Sequence, residues 1–163
     1  MVEYADPFDA LLAELALEEL HVAQMQRLLE DEQADLVAGR TERLEAIAAE
    51  KLVQLRALEL YGRRCEALLA KLGYATTRAG LAACAVAAGG TRGGKLHDAW
   101  SRLAAAAAHA RDMNEENGAL ITMRLAHVGG RLAHLDGAGA HGTLYSAAGH
   151  FAGPGAGRSI GRF

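Results

Sequence analysis

Proline is almost missing from this 163-residue chain. Pro7 and Pro154 stand near its two ends, and nothing between them forces a helix to break. Aromatic residues are scarce too, at 5% of a chain that is 51% apolar. A core must therefore be built mainly from leucine and alanine. Cysteine occurs only as Cys65 and Cys84, without CxxC spacing. Such residues read as small buried apolar groups in a reduced, intracellular chain. No apolar run reaches the roughly 18 residues needed to span a bilayer. The alanine-rich stretches 81–88 and 104–108 are too short, so no membrane insertion is expected. The opening MVEYADPFD is acidic, unlike a secretory signal, and a cytoplasmic location is expected.

Signatures of catalysis are missing as well. There is no GxxxxGKT-type phosphate loop, no GxSxG elbow and no HExxH. The segment 89–95, GGTRGGK, has the wrong spacing for a phosphate loop, and no strand pattern precedes it. Glu18 and His21 form an ExxH unit, which di-metal helical bundles use twice. No other histidine has a carboxylate three residues before it, so that site fails, and both residues are expected at the surface. His127 and His134 lie seven apart but lack a third ligand. No metal, cofactor or enzymatic activity is expected.

The net charge of −3 hides an asymmetry. Residues 1–60 carry fourteen acids against five bases, and residues 61–163 six against twelve. The bases form no run and have no aromatic residues among them, which argues against a nucleic-acid surface. Two solvated faces of opposite sign fit the pattern better.

What is present is helical periodicity. Phe8, Leu15, Val22, Leu29 and Leu36 recur every seven residues behind an Asp6-Pro7 start, and Gly39 follows. Glu14, Glu18, Glu30, Asp31 and Asp35 fall on the other faces of this helix, expected over about 7–38. A second helix, about 41–72, starts at Thr41 and carries Leu44, Ile47, Leu55, Leu58, Cys65, Leu69 and Leu72 before Gly73. Two long helices with so short a link predict an antiparallel hairpin. Residues 73–94 read as a flexible linker with one candidate short helix, and a third long helix is expected over about 95–135. The predicted fold is therefore all-α: a long helical hairpin plus a third helix in a coiled-coil-like bundle, residues 1–135. From Asp136 to the end, glycine is frequent and apolar residues are few. That segment reads as a mobile tail with one sticky patch, 143–151.

The informative polar residues lie in Met113-Asn114-Glu115-Glu116-Asn117-Gly118, in mid-helix. Asn114 and Asn117 continue the apolar stripe of Trp100, Leu103, Ala107 and Ala110. Asparagine and Gly118 are poor helix formers. Such a cluster on an inward face serves either to fix helix register or to act as a partner-binding pivot, and both readings stand.

Three features in this order resemble the FlgN family of flagellar type III export chaperones. They are Glu50-Lys51-Leu52 in the second helix, Met113 to Gly118 followed by Leu120-Ile121, and Thr143-Leu144-Tyr145-Ser146-Ala147-Ala148-Gly149-His150. The second is similar to the family's NxxNGxL signature and the third to its TLYxxxGQ tail, with His150 in place of the usual Gln. The resemblance implies a cytoplasmic chaperone for the hook–filament junction proteins. It implies a client-binding face, placed here on Leu120, Ile121, Leu125, Val128, Leu132 and Leu135. It also implies docking on the cytoplasmic domain of the export gate through Tyr145 with Leu144 and Gly149, the other reading being that Tyr145 folds back onto the bundle. A stripe this long serves either an intramolecular bundle or a homodimer. The alternative to a chaperone is a generic coiled-coil adaptor with no export role.

Overall fold

The computed structural model describes the backbone of residues 6–136 and the side chains of residues 6–130. It is all-α, with α1 (Pro7–Ala38), α2 (Leu44–Lys71), α3 (Arg78–Ala88) and α4 (Gly90–Asp136). The chain divides into two units, Met1–Ile121 and Thr122–Phe163.

In the first unit α1 starts where its local chemistry directs. The Asp6 carboxylate accepts from the Phe8 backbone N–H at 2.9 Å, and Pro7 occupies the first helical position, where no N–H is needed. Gly39 ends the helix in the left-handed region at φ 78°, which costs a glycine little. Asp35, expected on an outer face, is buried instead. Arg40 and Arg43, from the link, approach its carboxylate at 2.7 and 3.8 Å and offset its charge. α2 begins at Leu44 rather than at Thr41. Arg43 holds the cap position and makes no side-chain cap bond.

α1 and α2 are antiparallel: Glu14 meets Arg64, His21 meets Gln54, and Glu32 meets Lys51. α4 runs parallel to α1. Arg102 grips Glu19, Gln26 donates to the Ala106 carbonyl, and Asn117 donates to that of Leu29.

The expected linker 73–94 is mostly helix. Thr77 caps α3 by accepting from the Gly80 N–H at 3.1 Å, and alanine favours the helix that follows. α4 then starts at Gly90, five residues before the expected position. The glycines read as a joint have other uses. Gly89 turns the chain at φ 62°. Gly93 lies inside α4, where a Cβ would run into the carbonyl of Ala85. Glycine here lets the two helices approach backbone to backbone.

The main core joins all four helices. Leu11, Leu15 and Val22 meet Cys65 and Leu69 of α2, Leu81 and Cys84 of α3, and Leu96 and Leu103 of α4. Full burial of each leucine contributes about 1.5–3 kcal/mol. Both cysteines are buried and free. Met25, Leu29 and Met113 form a smaller cluster further along α1.

The second unit contains the end of α4, to Asp136. Among the described residues no helix is long and apolar enough to cross a membrane. The expected tail from 137 onward, with its 143–151 patch, lies outside the described residues.

Candidate functional site

The two asparagines that stood out in the sequence have different places. Asn117 is 1% exposed, whereas Asn114 is exposed. They take part in one network across three helices. Asn117 Nδ2 donates to the Leu29 carbonyl oxygen and to Glu32 Oε2, both at 2.9 Å. Lys51 Nζ donates to the same Glu32 oxygen at 2.8 Å and to Asn114 Oδ1 at 3.2 Å. Glu32, itself only 6% exposed, is the hub. Two charge-assisted bonds to one oxygen offset the cost of keeping that carboxylate out of water.

This arrangement unites Lys51, from the Glu50-Lys51-Leu52 segment, with Asn114 and Asn117 from the Asn-x-x-Asn segment 63 residues later. Neither separation nor periodicity alone brings them together; the antiparallel α1–α2 hairpin and parallel α4 do. Glu32 was missed in the sequence, though a signal existed. The spacing Val22, Met25, Leu29, Glu32, Leu36 runs three, four, three, four, so Glu32 interrupts the core stripe of α1. Lys51 does the same between Ile47 and Leu55 of α2, and Asn117 does so in α4. Three polar interruptions meet at one level of the bundle. A clamp of this kind fixes the sliding register of the helices, since a shift by one residue would leave a carboxylate buried without a partner.

Gly118, beside the clamp, has no packing reason to be glycine: a Cβ there would meet nothing within 4 Å. The Leu120 side chain is half-buried and Ile121 is exposed. In the second unit Leu125 is 68% exposed and Val128 53%. The side chains of Leu132 and Leu135 lie outside the described residues, as do Leu144, Tyr145 and Gly149.

A second titratable cluster lies between α1 and α2. Glu18, expected at the surface, is half-buried and hydrogen-bonded to Cys65. Burial pushes its carboxyl above the ordinary range, against the lowering effect of the thiol bond. Burial, and then the neighbouring Glu18, push the Cys65 thiol up, so it stays protonated and unreactive. His21, also expected at the surface, is half-buried. It bonds Gln54 at 2.7 Å and stacks on Tyr61. Among the described residues no three His, Cys, Asp or Glu side chains converge as a metal site would require.

Fold and site together define a helical-bundle protein whose polar centre is a structural clamp. The chain belongs to the FlgN family: the family's model, described as FlgN protein, matches residues 1–152. Among solved structures it is similar to a crystal structure from Pseudomonas aeruginosa assigned as a flagella synthesis protein FlgN. That likeness has 24% identity and a TM-score of 0.64, over 73% of this chain and 90% of that one. Comparison with the curated proteins found no match.

Proposed function

We propose that this chain is a cytoplasmic flagellar export chaperone. It binds the C-terminal helical region of the hook–filament junction subunits, keeps them from aggregating or assembling early, and delivers them to the export gate. Family membership supports the flagellar setting. The observation that carries the client-binding part is the apolar exposure along the end of α4. Ile121, Leu125 and Val128, at spacings of four and three, all face solvent there. Large apolar side chains left in water at helical spacing suit the capture of an amphipathic helix, whose own apolar face would otherwise drive aggregation. Leu132 and Leu135 extend the same spacing. A generic coiled-coil adaptor explains the hairpin equally well but leaves the Asn-x-x-Asn-Gly segment at 114–118 and the Leu-Tyr-x-x-x-Gly segment at 144–149 as coincidences.

Tyr145, with Leu144 and Gly149, is assigned to docking on the export gate. A tyrosine offers large apolar area and one hydrogen bond at low entropic cost. Two variants separate the roles. Leu125→Glu combined with Leu132→Glu is expected to abolish co-purification of the junction subunit. Tyr145→Ala is expected to leave that binding intact and stop secretion. Retained binding by the double variant would move the client site elsewhere, and unchanged secretion by Tyr145→Ala would remove the docking role.

A further inference from the structure

The first unit contains a cleft between α2 and α4 of about 260 Å³. Its floor is Val22, Met25 and Leu29 of α1. On one wall stand Leu55 and Leu58, with Leu55 still 48% exposed. The other wall, on α4, has only Ala107 and Ala110 as apolar residues, beside Arg111 and Asn114. The cleft exists because α4 presents methyl groups where closure against the leucines of α2 would need large side chains. An apolar cavity of about 150 Å³ already accepts a benzene ring, so this one has room for one such group and part of a second.

The mouth carries one uncompensated cation, Arg111. Lys51 and Arg111 are the charged groups lining the cleft, and no carboxylate does so. Lys51 is engaged by Glu32 and Asn114. Arg111 has no ion-pair partner among the described residues, so its charge awaits a complement. This chain's own exposed apolar stripe makes a poor occupant: between Glu116 and Asp136 it contains arginines and no acid.

We propose that this cleft is a second client surface, which takes an amphipathic helix of another protein. Such a helix inserts one or two large apolar side chains between Leu55 and Ala107 and sets a carboxylate on Arg111. The span from Ala107 to Asn114 is about 10 Å, or two helical turns, so the contact covers apolar residues at i and i+3 or i+4. Met25, unbranched and adaptable, suits a floor that meets more than one side-chain shape. This surface rests on the reading of the chain as a chaperone for helical clients, and it is separate from the α4 stripe.

The test uses the full chain and two labelled 20-residue model helices with leucine at every a and d position. One has glutamate flanks and the other lysine flanks. Ala107→Phe fills the cleft. It is expected to weaken the glutamate peptide at least tenfold without lowering the melting temperature. Arg111→Glu is expected to weaken that peptide roughly fivefold and to shift preference toward the lysine peptide. Unchanged affinity in a folded Ala107→Phe chain, or no change of preference in Arg111→Glu, would overturn the proposal. So would a homodimer in sedimentation that Ala107→Phe dissolves, since the occupant would then be a second copy. The junction subunit separates the two readings. Loss of its capture with Leu125→Glu and Leu132→Glu but not with Ala107→Phe refutes the cleft alone. Failure of every chain, parent included, to capture it refutes the chaperone reading.

Discussion

At the residue scale, the stability of the bundle's far half rests on four polar side chains. Asn117→Ala removes both buried bonds to Leu29 and Glu32 and leaves a small void. We expect a loss of about 2–4 kcal/mol in urea unfolding. Lys51→Ala leaves the Glu32 carboxylate without its cation. A loss of about 2–3 kcal/mol is expected, below the fully buried limit because Lys51 keeps some contact with water. A combined variant that loses much less than the sum would show that the groups act as one unit. Glu18 adds a pH dependence. Its folded carboxyl titrates above the ordinary range, so the folded state binds the proton more readily than the unfolded one. Its contribution is most favourable below the unfolded pKa and is lost as pH rises through the raised folded value. Glu18→Gln should therefore stabilise the protein at pH 7, with the gain disappearing toward pH 4. A gain independent of pH in thermal melts would contradict this assignment.

At the element scale, two glycines inside the same helix, α4, do opposite things. A methyl at Gly93 would meet the Ala85 carbonyl, whereas one at Gly118 meets nothing. Gly93→Ala is thus expected to lower the melting temperature. Gly118→Ala should raise stability by roughly 0.5–1 kcal/mol, the ordinary cost of glycine within a helix. If Gly118→Ala also weakens client binding, the glycine serves a close approach by the partner; equal destabilisation by both changes would refute the distinction. This contrast explains what the sequence could and could not convey. The all-helical class was readable because apolar residues recur every seven residues from Phe8 to Leu36. The start of α4 at Gly90 was not, because glycine spacing cannot distinguish a flexible joint from a close helix contact. Asn114 and Asn117 were conspicuous as costly residues in mid-helix. Their partner Glu32 was hidden, and Lys51, though conspicuous in Glu50-Lys51-Leu52, could not be tied to them, because the meeting depends on how three helices align, which no single stripe records.

At the scale of the whole molecule, the first unit has a continuous core through all four helices and a polar clamp that sets their register. Each unit also keeps apolar groups in water: Leu55 at a cleft in the first, Leu125 and Val128 in the second. Buried order combined with retained apolar exposure is the physical basis for reading the chain as a holder of other helices. Reversible handover needs no more than moderate affinity, which coupled ordering of a client helix supplies. The direct measurement is co-purification of the tagged full-length protein from its own cells, with mass spectrometry of its partners. We expect the hook–filament junction subunits in near-stoichiometric amount. Self-association without those subunits would contradict the chaperone account and leave a coiled-coil adaptor in its place.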